Sequence, residues 1–179
     1  MKIETDRLLL EEVSATDLED IHALHSFPEV DEFNTLGLPK DLAETKEVMQ
    51  PSFEAPTKSP QVSFTYKIST KESGEFIGLA ALNLSSAKFK SAEIYYKFLP
   101  SSWGHGYATE VSKALIKSGF EEFHLHRIEA GVATANLMSI RVLEKSGMTR
   151  EGLKRKVLPI RGEWVDNYEY AIVEGDPLL

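Results

Sequence analysis

Cysteine is absent from this chain of 179 residues. A disulfide framework, a cysteine nucleophile and a thiolate metal site are therefore excluded. The chain also lacks an apolar run of membrane-spanning length, and Met1 to Leu10 form a charged, strand-like start rather than a signal peptide. Because a chain without disulfides suits a reducing compartment, we expect a cytoplasmic protein with no membrane partner.

The chain has fewer basic than acidic residues, with 20 lysines and arginines, 28 aspartates and glutamates, and a formal net charge of −8. Proteins that bind nucleic acids neutralise phosphates with basic side chains, so we expect no nucleic-acid partner. The five histidines lack the spacing of a metal site, because His22 and His25 share one helix face and His124 and His126 lie together before a strand. We predict no bound metal.

Seven stretches show the alternation or composition of strands, and four segments show helical spacing. The predicted strands are Arg7–Val13, Val62–Ile68, Phe76–Leu84, Ala92–Leu99, Arg127–Ala133, Thr149–Val157 and Glu163–Ile172. The predicted helices begin at Thr16 with a Thr16–Glu19 capping box, span Asp41–Met49 before Pro51, span Tyr107–Phe120, and follow a cap at Asn136. Loops are expected at Asn34–Leu38 and Gln50–Pro60, and they either help to select a substrate or are variable surface loops. We predict an α+β fold with a mixed, mostly antiparallel sheet of six to seven strands and about four helices.

A strand that leads through a glycine turn into a helix is the central feature of the chain. The strand Ala92–Leu99 is followed by Gly104 and Gly106, and helical spacing begins after Tyr107. Glycines let the backbone approach a ligand closely, and the unpaired N–H groups of a first helical turn attract an anion. The turn therefore predicts a phosphate site.

Three known glycine loops could explain this turn. A Walker loop is excluded, because the Gly-Lys-Ser/Thr ending is missing. A dinucleotide fingerprint has its first two glycines in Gly104 and Gly106 and an acid at Glu129, but Thr109 replaces the third glycine. A purely structural turn is the third alternative, and the loop by itself does not exclude it.

Several short segments occur in a specific order along nearly the whole chain. They are Thr5-Asp-Arg-Leu-Leu-Leu, Ala92-Glu-Ile-Tyr-Tyr, Trp103-Gly-His-Gly-Tyr-Ala-Thr-Glu, Arg127-Ile-Glu-Ala, and the run from Asn136 to Met148 that leads to Glu151-Gly-Leu. Together they resemble the GNAT acetyltransferases, in particular the RimJ/RimL-like group that includes ribosomal-protein N-terminal acetyltransferases. The resemblance implies a single N-acetyltransferase domain over residues 1–179 with a GNAT-like fold.

The resemblance also implies that acetyl-coenzyme A binds at the glycine turn. Its pyrophosphate would lie on the backbone amides of Gly104 to Thr109, and its pantetheine arm would run beside the strand end. The implied coenzyme-binding residues are Phe98, Leu99, Gly104, His105, Gly106, Tyr107, Ala108, Thr109 and Asn136.

Several positions depart from the pattern of the resembling enzymes. Ser101 stands where Gln or Arg is common, and Leu143 stands where many relatives have a tyrosine that protonates the departing thiolate. Ser139 is the corresponding thiolate partner in the ribosomal-protein group, and it is present. Leu158 replaces a glutamate of that group, so the resemblance does not identify the general base.

Transfer of an acetyl group to an amine requires a proton acceptor. Glu93 lies on the strand that leads to the turn and is the first candidate, with a solvent-facing strand residue as the alternative. Asp166 is a second candidate, with a cross-strand pairing partner as the alternative. The predicted catalytic residues are therefore Glu93 and Ser139, with helix capping as the alternative role of Ser139 and of Asn136.

Two function classes are compatible with these residues. One is N-acetyl transfer from acetyl-coenzyme A to an amine, either a protein α-amine or a small molecule, by direct attack in a ternary complex. The other is a coenzyme-binding regulatory module that has lost turnover. Trp164, Tyr168 and Tyr170 on the last strand could supply a homodimer face.

Overall fold

The computed structural model describes residues 1–177. Its eight strands form one sheet in the order β1-β2-β3-β4-β5-β6-β8-β7. The strands are β1 (Lys2–Glu4), β2 (Leu8–Glu12), β3 (Ser63–Thr70), β4 (Phe76–Leu84), β5 (Ser91–Phe98), β6 (Arg127–Ala133), β7 (Thr149–Ile160) and β8 (Glu163–Val173). The helices are α1 (Leu18–His25), α2 (Pro28–Asp31), α3 (Leu42–Glu54), α4 (Tyr107–Glu121) and α5 (Leu137–Lys145). Within residues 1–177, only the β5–β6 pair is parallel, as predicted from the strand–helix–strand unit, and the other neighbours are antiparallel.

The two faces of the sheet carry separate hydrophobic cores. On one face, α4 and α5 pack on the central strands, and Ile94, Leu115 and Leu143 are among the buried residues of this larger core. On the other face, α1 and α3 pack over β4, and Leu24 and Leu79 belong to this smaller core. Strand alternation therefore directs successive side chains of β5 into two different environments.

The counts of strands and helices expected from the sequence were too low. The residues described contain eight strands and five helices, and the additional elements are β1 and α2. A three-residue strand is too short to show alternation, and β1 is fixed by its pairing with β2. Pro28 indicates the end of a helix by local rules, but it also occupies the first turn of α2, where its missing N–H costs nothing.

The capping box predicted at Thr16 is wrong, because it forms two residues earlier. The Ser14 backbone N–H donates to Asp17 Oδ2 at 2.8 Å, and this box begins a 3-10 turn before α1. Lys67 Nζ on β3 donates to Asp17 Oδ1 at 2.8 Å. The sheet therefore holds Asp17 in place, and this tertiary contact decides where the turn begins.

The segment Gln50–Pro60, predicted as a loop, is mostly helical. Helix α3 continues through Pro51 to Glu54, and a 3-10 turn follows at Ala55–Thr57. Met49 is buried and Phe53 packs against the smaller core. The burial of these side chains outweighs the one hydrogen bond that proline removes from the helix.

The predicted homodimer face is only partly available. Trp164 is 60% exposed, but Tyr170 is 1% exposed and belongs to the larger core, so its inclusion in that face is wrong. Within residues 1–177, no helix is long and apolar enough to cross a membrane.

Candidate active site

A gap opens between the two parallel strands in the middle of the sheet. Strands β5 and β6 pair only at their first residues, up to Glu93 and Glu129. Beyond this point β5 continues to Phe98 and β6 to Ala133 without pairing to each other. Crevices at the carboxyl ends of parallel strands are the usual ligand sites of such sheets, and helices α4 and α5 begin directly after these two strand ends.

The glycine turn lies at the β5 side of this gap. Gly104 and Gly106 have φ angles of 78° and 79°, which are in the left-handed region that glycine adopts without strain. Helix α4 has no side-chain cap, and none of the N–H groups from Gly104 to Thr109 has a hydrogen-bond partner among residues 1–177. Six unpartnered donors at a helix N-terminus are well suited to a pyrophosphate.

Side chains from the start of the chain hold the glycine turn in position. Arg7 donates from Nη1 to the His105 carbonyl at 3.0 Å and from Nε to Glu110 Oε2 at 2.7 Å. The guanidinium also lies 4.6 Å from the centre of the Tyr107 ring, which stacks on His105. Sequence reasoning assigned no role to Arg7 or Glu110, although the segment Thr5-Asp-Arg in the resemblance was a usable signal.

The carboxylate of Glu110 joins the beginning of the chain to the first turn of α4. Its Oε1 accepts hydrogen bonds from the Thr5 hydroxyl at 2.5 Å and from the Arg7 backbone N–H at 3.0 Å. Desolvation raises the pKa of Glu110, but these hydrogen bonds and the Arg7 charge lower it by more, so the pKa lies below its ordinary value. Glu110 is therefore ionised and fixed at neutral pH.

Two hydroxyl groups meet across the gap from β5 and α5. Tyr96 Oη and Ser139 Oγ are 2.9 Å apart, and Asn136 caps α5 by accepting from the Ser139 backbone N–H at 3.0 Å. Burial raises the pKa of Tyr96, so its hydroxyl keeps its proton and can donate a hydrogen bond. Tyr96 was not proposed from the sequence, although strand alternation already grouped it with Ile94 and Phe98.

Leu143 lies elsewhere than in the gap. It is 1% exposed within the larger core. The tyrosine of many related enzymes therefore has no substitute at this position, and the Tyr96–Ser139 pair provides the hydroxyl groups near the gap.

Glu93 lies at the last paired position of β5, on the opposite face from Ser139. Its side chain is largely exposed, and its pKa is raised by partial desolvation and by the nearby carboxylates of Glu169 and Glu129, with Lys154 opposing them. A raised pKa suits a proton acceptor. The structure therefore places Glu93 and Ser139 on opposite faces of the sheet, with Glu93 at the residue beyond which the gap opens.

The other predicted residues lie around the gap with different degrees of access. Phe98 is buried in the larger core, and its carbonyl accepts from Trp103 Nε1 at 2.9 Å. Leu99 packs against the smaller core, and its backbone N–H and C=O are already paired with the Ile77 carbonyl and the Ser102 N–H. Asp166 accepts from the Lys156 backbone N–H at 2.8 Å across the β7–β8 hairpin, as the structural alternative predicted.

The sequence from residue 7 to residue 149 matches the family model described as Acetyltransferase (GNAT) domain. The chain belongs to the GNAT acetyltransferase family. A curated relative is the uncharacterized N-acetyltransferase YoaA of Bacillus subtilis, which is 31% identical over 96% of each chain. The protein is therefore an acetyl-coenzyme A-dependent acyltransferase, and the unpartnered N–H groups at the glycine turn fit the pyrophosphate of that coenzyme.

Two solved GNAT structures show the same fold at lower identity. One is the spermidine N-acetyltransferase from Vibrio cholerae in complex with CoA and spermine, with a TM-score of 0.83 and 20% identity over 96% of this chain and 98% of that one. The other is RimL, a ribosomal L7/L12 α-N-protein acetyltransferase in complex with CoA, with a TM-score of 0.85 and 19% identity over 97% and 98%. Within residues 1–177, no group of side chains could hold a metal ion.

Proposed function

We propose that this GNAT enzyme acetylates an amine by direct attack within a ternary complex, and that residues 1–179 form its single domain. The gap between β5 and β6 carries the proposal, because it combines an anion-binding turn with a pair of neutral hydroxyl groups. Bound acetyl-coenzyme A supplies the thioester from which the acetyl group is transferred. The direct route suits a chain without cysteine.

The coenzyme is held mainly by backbone groups. The N–H groups from Gly104 to Thr109 bind the pyrophosphate, and Tyr107 lies beside them in the first turn of α4. The pantetheine arm follows the unpaired edge of β5 past Phe98 and Leu99 toward Asn136 at the start of α5. The positive end of the α4 dipole adds to the attraction for the phosphates.

The departing thiolate is stabilised by the Tyr96–Ser139 pair. Each hydroxyl can donate only one hydrogen bond, so one of them donates to the other and the second can donate toward the gap. A hydrogen bond to a developing negative charge strengthens as the reaction proceeds and so lowers the barrier. Two departures, Leu143 and Leu158, make an inactive regulatory module conceivable, and the hydroxyl pair answers the first of them.

Glu93 accepts the proton of the attacking amine, directly or through a water molecule. Its raised pKa brings the carboxylate closer to the range in which a base works at neutral pH. Its position on the face opposite to α4 and α5 suits an acceptor that approaches from that side, because those helices fill the coenzyme face.

Fold alone does not choose the acceptor, because a spermidine acetyltransferase and a ribosomal-protein acetyltransferase have similar TM-scores to this chain. We assign the protein to the RimJ/RimL-like group because short sequence segments of that group occur in the same order between Thr5 and Leu153. The deciding experiment measures release of free thiol from acetyl-coenzyme A with a panel of amines that includes peptides, polyamines and amino acids. Thiol release that depends on an amine supports the proposal, and coenzyme binding without release from any amine would contradict it.

A further inference from the structure

A polar cluster lies on the face of β5 opposite to the coenzyme helices. Lys97 is on β5 beyond the last pair with β6, so it lies at the level of the gap. Its direct partner on β4 is Leu79, which belongs to the smaller core together with Leu24 of α1. The side chain of Lys97 therefore extends toward the ends of α1 and α2.

Two buried polar residues, His25 and Asp31, lie near Lys97, and Arg161 contacts one of them. His25 is the last residue of α1 and Asp31 is the last residue of α2, and they are 8% and 4% exposed. Arg161, in the turn between β7 and β8, has its Nε 3.5 Å from Asp31 Oδ2 and donates from Nη2 to the Pro28 carbonyl at 2.8 Å. Arg161 thus holds the hairpin turn against α2 at Asp31.

Several polar atoms of this cluster lack partners among residues 1–177. His25 Nε2 and Asp31 Oδ1 are buried and form no hydrogen bond. Within residues 1–177, Lys97 Nζ donates no hydrogen bond to a carboxylate or a carbonyl oxygen. Buried polar groups without partners are costly, so the unpartnered atoms of His25 and Asp31 near the half-buried Lys97 indicate that a ligand completes them.

The charges of the cluster determine which ligand suits it. Burial lowers the pKa of Lys97 to about 8, although Asp31 opposes the shift, so the amine is mostly protonated at pH 7. Burial, Lys97 and His22 lower the pKa of His25 to about 4, so this imidazole is neutral. With Arg161 positive and Asp31 negative, the cluster carries a net charge of about +1, which one carboxylate would balance.

We propose that Lys97 and His25 bind a carboxylate of the acceptor, so that the substrates are amines that also carry a carboxylate, such as amino acids. Lys97 supplies the ammonium, and His25 supplies an Nε2 donor in the matching tautomer. Asp31 Oδ1 accepts a hydrogen bond from an N–H group of the same molecule. The inference rests on the proposed function, because it assumes that the acceptor approaches the gap from this face.

The test compares each amino acid with its own carboxamide, which keeps the side chain and the amine but removes the negative charge. Selectivity is the ratio of kcat/KM for the acid to kcat/KM for the amide. This ratio is measured in the wild type and in Lys97→Met, so that the different basicity of the two amines cancels between proteins. We expect Lys97→Met to lower the selectivity roughly ten- to a hundredfold, mainly through KM of the acid.

Two further variants separate loss of charge from loss of structure. Lys97→Arg keeps the charge and should retain most of the selectivity. Lys88→Met makes the same change in the exposed turn before β5 and should leave the selectivity unaltered. An equal selectivity in Lys97→Met and wild type would overturn the carboxylate site.

A binding measurement keeps the inference separate from the proposed function. With coenzyme A present, an amino acid should raise the Tm of the wild type more than its carboxamide does, and Lys97→Met should lose this difference. If no amine releases thiol but this difference is found, the proposed function fails and the carboxylate site stands. If thiol is released but the acid and the amide behave alike in both proteins, the proposed function stands and the inference fails.

Discussion

The coenzyme side and the acceptor side of the gap are built in different ways. On the coenzyme side, one continuous segment from Tyr96 to Thr109 supplies the strand edge, the glycine turn and the helix N-terminus, and the start of α5 adds Asn136 and Ser139. On the acceptor side, α1, α2, β5 and the β7–β8 turn each supply one side chain of the polar cluster. The first side binds the phosphates through backbone N–H groups, and the second binds the acceptor through side chains.

This difference explains how each side tolerates change. A backbone site needs only the correct φ and ψ angles, so Ser101 can replace a larger polar residue without loss of the N–H donors. A side-chain site depends on the identity of each residue and on the packing of four elements. Coenzyme binding should therefore be destroyed only by changes that fill or distort the turn, whereas acceptor choice should respond to single side chains.

The largest expected effect comes from filling the turn itself. Gly106→Glu places a side chain and a negative charge beside the phosphates at a residue with φ of 79°. We expect acetyl-coenzyme A to raise the Tm of the wild type and to leave that of the variant unchanged.

The matched control is Gly74→Glu in the β3–β4 turn. Gly74 has a similar φ of 72°, and a Cβ at this residue would meet nothing within 4 Å. This control carries the same strain and charge without touching the site, so it should keep the full coenzyme shift. A full shift in Gly106→Glu would mean that the phosphates bind elsewhere.

The next largest effect is expected at the proposed base. Glu93→Gln keeps the shape of the side chain and removes its basicity, so kcat at neutral pH should fall by about a hundredfold or more. Activity should recover partly at alkaline pH, where more of the amine is already deprotonated. An unchanged rate and pH profile would make Glu93 a structural residue.

A neighbouring carboxylate sharpens the same test. Wild-type activity should fall as the pH drops through the raised pKa of Glu93, because the carboxylate is then protonated. Glu129→Gln removes one of the negative charges that raise this pKa, so the acidic limb of the profile should move to lower pH. No movement would show that Glu93 does not control that limb.

The same difference between the two sides explains what the sequence could predict. The strand, the glycine turn and the helix from Ala92 to Phe120 are predictable because periodicity and glycine chemistry are local signals. Tyr96 and Lys97 lie in that strand, but Ser139, which hydrogen-bonds Tyr96, and His25, which lies near Lys97, are distant in sequence. The packing of α5 on one face of the sheet and of α1 on the other explains why Tyr96 and Lys97, although adjacent in sequence, have different proposed roles.

Errors in the predicted fold have a similar origin. Pro51 indicated a helix end by local rules, yet the packing of Met49 and Phe53 carries α3 past it. The box at Ser14 was missed because Lys67, from another strand, fixes Asp17. Tertiary contacts overrode local preference in both cases.

A smaller effect is expected from the two hydroxyl groups. Tyr96→Phe and Ser139→Ala should each lower kcat roughly tenfold while the coenzyme affinity stays nearly constant, because the hydrogen bond strengthens only as charge develops on sulfur. The double variant should lose less than the product of the two, since either change breaks the same pair. If the variants instead bind the coenzyme more weakly and keep the wild-type kcat, the pair is a contact of the bound ground state.

The smallest effect is expected at Glu110, which joins Thr5 and Arg7 to the first turn of α4. It is measured as a change in the free energy of unfolding. The folded-state pKa of Glu110 is lowered, so its contribution is present above the unfolded-state value of about 4.5 and is lost as the pH falls through the folded-state value. At pH 7, Glu110→Gln should lower the free energy of unfolding by roughly 1–2 kcal/mol, and the difference from wild type should shrink in acid. Glu121→Gln, on the exposed end of the same helix, should change the free energy of unfolding by less than about 0.5 kcal/mol.

Because the N–H groups of the turn belong to the backbone, coenzyme binding should survive Glu110→Gln with only a modest loss of affinity. A loss as complete as in Gly106→Glu would show that side chains, and not the backbone alone, build the coenzyme side.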